Sequence, residues 1–143
     1  MALADTLKVV LATTAIYEQK AQQFHWNVEG VMFHQLHEVF GMIYEDAEGA
    51  IDPLAEYIRT LEVFAPTTYA RFIELSVIEE QPKIPSAMLM VKELYDDGEK
   101  ILDLLKKANK EALDASEDGI ANFLADRMSA HGKFCWQLNS LMK

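Results

Sequence analysis

Hydrophobic residues recur with the spacing of an α-helix in four long segments of the chain. The first segment covers about 5–27 and the second about 33–61, the third runs from just after Pro85 to about 112, and the fourth covers about 117–142. Within each segment the apolar positions form one stripe along one side of a helix. The pattern therefore predicts four long amphipathic helices that bury these stripes against one another.

The connections between these segments differ in length. Gly30 interrupts the pattern in a short turn between the first and second segments, whereas 62–85 forms a long connection that three prolines punctuate. We expect a short helix near Tyr69–Leu75 within this connection. The order of elements predicts an all-α fold, a four-helix bundle with a long crossover containing a short helix. Such a crossover lets the second and third long helices run parallel.

Composition favours a helical protein of one domain, covering residues 1–143. Half of the residues are hydrophobic, and six Gly and four Pro are few for a loop-rich β fold. The single cysteine, Cys135, excludes an internal disulfide, and no apolar run is long enough to cross a membrane. The first apolar run carries Asp5 and is broken by Thr13 and Thr14, so we expect a first helix rather than a signal peptide, and a cytoplasmic protein.

The chain is acidic, with 23 acidic against 13 basic residues and a formal net charge of −10. Such a surface repels the phosphates of nucleic acids and anionic membranes, so the charge argues against direct DNA binding. It attracts cations, although acidity of this degree is common on protein surfaces and supports metal handling only weakly.

Four side chains between residues 25 and 56 are of the types that bind iron or manganese. His25 and His37 lie on either side of the short turn, so antiparallel packing of the first two helices brings both imidazoles to one end. Asp52 and Glu56 are four positions apart and therefore lie on one face of the second helix. Each pair is suitably arranged to aim two ligands at a metal ion.

The distance between the two pairs decides how they can be used. Fifteen helical positions from His37 to Asp52 correspond to about 22 Å, whereas metal–ligand bonds are about 2.0–2.2 Å long. One chain therefore cannot bring both pairs to one metal. Either the pairs are unrelated, or a second, antiparallel copy supplies its Asp52 and Glu56 to the first copy's His25 and His37. A two-fold dimer does this twice.

Residues around the four candidate ligands follow a family pattern. The run His25-Trp26-Asn27-Val28-Glu29-Gly30, followed by Phe33, Leu36-His37-Glu38, Tyr44, Asp52, Ala55-Glu56 and Ile58, resembles the Dps family of mini-ferritins. The resemblance implies a ferritin-like fold and a ferroxidase centre at a dimer interface. It assigns His25 and His37 to one subunit and Asp52 and Glu56 to its neighbour. It also implies a twelve-subunit hollow shell that oxidises Fe(II), usually with hydrogen peroxide, and stores ferric mineral inside.

The chain departs from the family pattern at two positions. Family members usually carry an Asp or Glu four residues after the second histidine, and here that residue is Gly41. A second metal position is then weak, ligated by water, or served by Glu38 or Glu45. The other departure is Pro53 within the second helix, which removes a backbone hydrogen bond and presses on the carbonyl of Gly49.

Other residues near the predicted centre have structural alternatives. Trp26 and Tyr44 are expected to pack beside the metal; a family Trp at this position intercepts radicals, and Tyr44 either serves similarly or is simply buried. Asp52 followed by proline is also a good N-cap pair, which would break the second helix there. His131 lies on the apolar stripe of the fourth helix and is expected in the core or at an interface rather than as a ligand. His34 is expected at the surface or an interface.

Acidic residues cluster around the start of the fourth helix. In Dps-like shells this region lines acidic pores, so the resemblance makes Asp114, Asp118 and Asp126 possible pore residues that admit Fe(II). The alternative is that acids stabilise the helix N-terminus. Asp114 with Glu117 has the spacing of a capping box, and this alternative suits Asp114 better than the pore does.

The sequence thus predicts a ferroxidase and iron-storage protein that protects against oxidative damage. One alternative is a ferritin-like shell with a degenerate site, weakened at Gly41 and Pro53, that binds metal without turnover. The other is a DNA-binding stress protein, which the net charge argues against.

Overall fold

A computed structural model describes residues 2–143, and in that part of the chain every regular element is a helix. The five helices are α1 (Ala2–Asn27), α2 (Phe33–Thr60), α3 (Tyr69–Leu75), α4 (Ala87–Asp114) and α5 (Asp118–Leu141). The prediction of four long helices and a short one in the crossover is confirmed. Each end of a long helix lies within three residues of its predicted position.

The helix directions follow from pairs of residues that meet across the bundle. α1 packs along α2 and α4 along α5, each pair joined by a short connection. Thr6 at the start of α1 donates a hydrogen bond to Glu111 near the end of α4, while Lys20 further along α1 meets Asp97. α1 is therefore antiparallel to both α2 and α4. It follows that α2 and α4 run parallel, as the long crossover predicts.

The core lies between the four long helices and is built on large side chains with no solvent exposure. Tyr17, Phe24 and Phe40 are completely buried, and the rings of Phe24 and Phe40 meet edge to face with centroids 6.0 Å apart. Such an edge-to-face contact adds stability beyond the area that it buries. These contacts hold the end of α1 against the start of α2, where the candidate histidines lie.

The crossover between α2 and α4 is fixed to α1 by polar contacts. Thr68 caps α3, since its hydroxyl accepts a hydrogen bond from the backbone N–H of Arg71 at 3.1 Å. The hydroxyl of Thr13 in α1 accepts a hydrogen bond from the backbone N–H of Val77. The Gln23 amide donates to the carbonyls of Gln81 and Lys83. These bonds to Thr13 and Gln23 tie the second half of the crossover to α1.

The turn between α4 and α5 does not contain the predicted capping box, so that prediction is wrong. Asp114 is the last residue of α4 and pairs with Lys110 at 3.0 Å, while Glu117 occupies the N-cap of α5 without a side-chain capping bond. The helix instead ends in a Schellman motif, in which the backbone N–H of Glu117 bonds to the carbonyl of Ala112 and that of Ser116 to Leu113. Ser116 takes the left-handed conformation (φ 59°) that this motif requires.

Among the helices described, none is both long enough and apolar enough to cross a bilayer. Their apolar faces are turned toward one another inside the bundle.

Candidate metal centre

His25 and His37 hold each other at the junction of α1 and α2. Gly30, with φ at +111°, allows the sharp turn that sets the two helices side by side. Nδ1 of His25 lies 2.6 Å from the carbonyl oxygen of His37, and Nδ1 of His37 lies 2.6 Å from the carbonyl oxygen of His25. The two rings stack with centroids 3.8 Å apart and 13° between their planes. The structure thus brings the two predicted histidines together.

These reciprocal bonds determine which ring nitrogens are available to a ligand. A carbonyl oxygen only accepts hydrogen bonds, so each Nδ1 must carry the proton that it donates. In a neutral imidazole the other nitrogen, Nε2, then keeps its lone pair. Backbone carbonyls orient metal-binding histidines in this same way in known metal sites. Both rings therefore offer Nε2 as a metal ligand, and neither tautomer has to change first.

Of the aromatic residues near the histidine pair, two lie close to the imidazole rings and one is largely exposed. Phe33 stacks on His37 with centroids 5.2 Å apart, and Tyr44 lies 6.3 Å from His25 in a partly buried position. Trp26, predicted to pack beside the metal, is 67 % exposed in the single chain. The single chain therefore leaves most of the Trp26 side chain uncovered.

Gly41 lies directly beneath the ring of His25. A Cβ atom built at this residue would lie 2.8 Å from Cε1 and 2.9 Å from Nδ1 of His25. Real Cβ atoms essentially never approach other heavy atoms that closely. The imidazole thus packs against the backbone of Gly41, at the position where the family pattern has an acidic residue.

Asp52 and Glu56 lie on the exposed surface of α2, one turn apart. The helix continues through Pro53 without a break, so the alternative in which Asp52 caps a new helix is wrong. Ala50, Leu54 and Ile58 are all buried, so one apolar stripe continues past the proline. The packing of this stripe outweighs the hydrogen bond that proline cannot make.

The two pairs remain far apart within one chain. Because α2 is uninterrupted from Phe33 to Thr60, His37 and Asp52 are separated by about 22 Å of helix. Within residues 2–143, no three His, Cys, Asp or Glu side chains gather closely enough to hold a metal ion. The chain thus carries two separate pairs of candidate ligands, one of imidazole nitrogens and one of carboxylate oxygens.

Sequence reasoning did not identify the buried polar network that joins α2 to α5. His131 lies in the core, one of its two predicted locations, with its side chain 1 % exposed. Arg127 donates a hydrogen bond to Asp46 at 2.7 Å and contacts Nε2 of His131 at 3.3 Å. Burial, reinforced by the positive charge of Arg127, lowers the pKa of His131 to about 3. The ring is therefore neutral at physiological pH.

A second buried ion pair joins α1 to α4. Lys20 donates a hydrogen bond to Asp97 at 2.6 Å, and Glu93 lies 3.4 Å from the same ammonium group. Burial raises the pKa of the Asp97 carboxyl, while the bond to Lys20 acts in the opposite direction. Only the fold reveals this pair, because 77 residues separate its members in sequence.

The acidic residues near the start of α5 are solvent-exposed. Asp118 is the first residue of α5, and Asp126 lies two turns further along the same helix. Asp114 is exposed as well, at the end of α4. All three are therefore accessible to cations from the surface of the single chain.

Comparison with known proteins gives consistent matches along the whole chain. A family model described as a ferritin-like domain matches residues 4–143. A Brevibacillus brevis protein named "DNA protection during starvation protein" is 31 % identical, with the match covering 99 % of this chain and 95 % of that protein. An uncharacterized protein of Haemophilus influenzae is 28 % identical, over 96 % of this chain and 86 % of the relative.

Solved structures match equally well. The crystal structure of Dps from Staphylococcus aureus is 28 % identical and superposes with a TM-score of 0.95, covering 99 % of this chain and 95 % of that one. A Dps protein from Bacillus brevis is 30 % identical, with the same TM-score and the same coverage.

Proposed function

Because this chain belongs to the Dps family of ferritin-like proteins, we propose that it oxidises Fe(II) at sites shared between two subunits and stores the ferric product in a hollow shell. The observation that carries the proposal is the reciprocal bonding of His25 and His37, which leaves both Nε2 atoms free to bind metal. Iron is the substrate of this reaction and the stored cargo.

Each proposed site takes its ligands from two chains. His25 and His37 supply nitrogen ligands from one subunit, and a neighbour running antiparallel supplies Asp52 and Glu56. A two-fold dimer forms two such sites. Twelve subunits, the number found in the family, would have a mass of about 190 kDa, twelve times the 16.2 kDa of one chain. Analytical ultracentrifugation measures this mass directly.

The ligand set suits iron and favours its oxidation. Imidazole nitrogens bind Fe(II) well, and carboxylate oxygens stabilise Fe(III) more strongly than Fe(II) because of their negative charge. The two carboxylates therefore lower the reduction potential of bound iron. The stacked, hydrogen-bonded histidines hold their lone pairs in place before iron arrives.

Hydrogen peroxide is the oxidant that we propose. One peroxide molecule accepts one electron from each of two Fe(II) ions and takes up two protons, giving two Fe(III) ions and two water molecules. Because both electrons go to the same peroxide, its O–O bond is cleaved without release of hydroxyl radical. The reaction thus removes peroxide while it prepares iron for storage, which would protect the cell from oxidative damage.

The acidic surface provides a path for iron. The net charge of −10 raises the local concentration of cations, and exposed Asp118 and Asp126 at α5 are the proposed pore residues. Asp114 is a weaker candidate because Lys110 pairs with it and offsets its charge. The same net charge disfavours binding to DNA, which a gel-shift experiment at low salt would detect as a discrete complex.

Stopped-flow oxidation of anaerobic Fe(II), with peroxide and with oxygen in separate runs, tests the proposal. The double variant His25→Ala/Asp52→Ala should lose the fast phase with peroxide. A matched control is His34→Gln, which changes an exposed histidine of α2 that pairs with Glu38. Equal rates in the wild type and the double variant would overturn the ferroxidase assignment.

One observation favours a second candidate function, metal binding without turnover. Residue 41 is glycine and the ring of His25 packs directly against it, so α2 contributes no carboxylate at this position. A site with fewer charged ligands stabilises Fe(III) less. This candidate predicts that the assembled wild type binds Zn(II) or Fe(II) at the subunit interface yet gives no fast oxidation with either oxidant.

A further inference from the structure

Four aromatic rings lie in a row at the junction of α1 and α2. Phe33 stacks on His37 with centroids 5.2 Å apart and 21° between the planes, and His37 stacks on His25 at 3.8 Å and 13°. Tyr44 lies next to His25 at 6.3 Å and 29°. The two candidate ligands therefore occupy the middle of the row, and Phe33 lies at the end next to His37.

The core does not account for the position of Phe33. Its side chain is 44 % exposed, whereas Leu36 is buried in the hydrophobic core and Met32 packs against that core. Phe33 is the first residue of α2, and its backbone N–H bonds to the carbonyl of Gly30 in the turn. Helix geometry then places its side chain one turn from that of His37, on the same face. The exposed ring thus packs against a candidate metal ligand.

The two rings that stack on His37 cover its opposite faces. One face of a five-membered ring is too small for two nearly parallel neighbours, so Phe33 lies on the face that His25 leaves uncovered. The hydrogen bond from Nδ1 of His37 to the carbonyl of His25 fixes one atom of the ring, but a single bond still permits the ring to tilt. Stacking on both faces opposes that tilt, because tilting separates one pair of rings and presses the other pair together.

We propose that Phe33 is a positioning residue for the metal centre: by stacking on the outer face of His37, it holds that imidazole in the orientation that presents Nε2 to a metal. This inference rests on the proposed function in taking His37 as a metal ligand. A phenyl ring offers no ligand atom, so the contribution of Phe33 has to pass through the orientation of His37. The contact is independent of any oxidation chemistry and therefore applies to zinc as well as to iron.

Zn(II) is the probe for the test, since it binds histidine and carboxylate ligands and undergoes no redox reaction. Its affinity is measured by titration calorimetry on the assembled, metal-free protein. Phe33→Leu keeps an apolar side chain but removes the flat ring, and we expect it to weaken Zn(II) binding by about five- to tenfold. Phe33→Tyr keeps the ring and should restore the affinity to within about twofold of the wild type.

The matched control makes the same substitution at another exposed phenylalanine. The ring of Phe64 is 81 % exposed and contacts the guanidinium of Arg59 at 4.7 Å, away from the histidine pair in the single chain. Phe64→Leu should change the Zn(II) affinity by no more than about twofold.

A double-mutant cycle shows whether Phe33 acts through His37. In a His37→Ala background, His25, Asp52 and Glu56 remain as ligands, and Phe33→Leu should change the Zn(II) affinity by no more than about twofold. In a His25→Ala background His37 remains, so the same substitution should still weaken binding. An equal effect of Phe33→Leu in the wild type and in the His37→Ala background would overturn the proposal.

The mass of the assembly separates positioning from a contact with a neighbouring subunit. Phe33→Leu should have the mass of the wild type in analytical ultracentrifugation. A smaller mass would make Phe33 an interface residue and overturn the proposal. Unchanged Zn(II) binding by Phe33→Leu, or no Zn(II) binding by the wild type, would do the same. Failure of the ferroxidase function gives a different pattern, in which the wild type does not oxidise Fe(II) but the Zn(II) results stand as expected.

Discussion

His25 and His37 are each anchored to the backbone of the other's helix, since each Nδ1 donates a hydrogen bond to the other residue's carbonyl oxygen at 2.6 Å. The pair therefore forms one unit whose geometry depends on how α1 packs against α2. Asp52 and Glu56 lie more than four turns further along α2. Under the proposed function, the two half-sites can consequently be inactivated separately, in different subunits.

Subunit mixing should restore activity between two inactive variants. His25→Ala/His37→Ala removes one half-site, and Asp52→Ala/Glu56→Ala removes the other, so each variant alone should oxidise Fe(II) slowly. When the two are unfolded together and refolded as a mixture, half of the dimers are mixed and each mixed dimer holds one intact site. We expect about a quarter of the wild-type fast-phase amplitude in stopped-flow measurements.

The control for this prediction is a mixture of the two variants that were refolded separately, before any exchange of subunits. That mixture should remain inactive. Persistent inactivity of the co-refolded sample, with normal assembly, would contradict a site shared between subunits.

Local patterns were sufficient to predict most of the fold. The apolar stripes predicted all four long helices, and the short helix α3 was predicted at the residues where it is found. The capping role of Asp114 was predicted wrongly because Ser116 takes the left-handed conformation that glycine usually adopts, so no glycine marks the end of α4 in the sequence. Asp52 had a plausible capping alternative because Asp-Pro is a strong local signal. Burial of Ala50, Leu54 and Ile58 outweighs that signal.

The candidate site was predictable in composition but not in geometry. Residue type and spacing picked out His25 and His37, and the helical rise separated them from Asp52. The exchange of hydrogen bonds between the two histidines depends on backbone atoms. The close packing of the His25 ring on Gly41 depends on the distance between α1 and α2. Neither leaves a pattern in the sequence. Whether the four residues bind iron stays a prediction.

His131 should make the stability of the protein depend on pH. Burial first, and then the charge of Arg127, lower its pKa to about 3 in the folded chain, against 6.5 for an unperturbed histidine, while Asp46 acts in the opposite direction. Between these values the unfolded chain binds the extra proton, so this contribution to stability is present above pH 6.5 and is lost as the pH falls. From pH 6.5 to 4.5 the loss should be about 2–3 kcal/mol.

Urea unfolding at several pH values measures this contribution. His131→Gln keeps an acceptor for Arg127 but has no titratable ring, so its stability should fall less steeply over the same range. Parallel curves for the wild type and the variant would show that His131 is not the cause.

Lys20 and Asp97 should be strongly coupled in stability. Lys20→Met leaves a buried carboxylate without its partner, and we expect it to cost about 3–5 kcal/mol in the free energy of unfolding. The double variant Lys20→Met/Asp97→Leu should recover most of that loss. As a control, Lys92→Met removes the exposed ion pair between Lys92 and Asp96, which lie one turn apart on α4. This substitution should cost less than about 1 kcal/mol.

Trp26 should report on assembly through its fluorescence. It is 67 % exposed in the single chain, and packing by a neighbouring subunit beside the metal site would bury it. In a Trp136→Phe background Trp26 is the only tryptophan, and its emission maximum should move to shorter wavelength as the protein concentration is raised through the range where subunits associate. An emission maximum that does not change on association would place Trp26 outside the interface.

The distance of about 22 Å between His37 and Asp52 has a consequence for the order of events in a cell. A newly made subunit carries every proposed ligand, yet it holds no complete site until it meets a second subunit. Under the proposed function, iron oxidation would therefore begin only once a compartment wall has started to form. Ferric iron, which precipitates readily in water, would then be produced only where a container is being built to hold it.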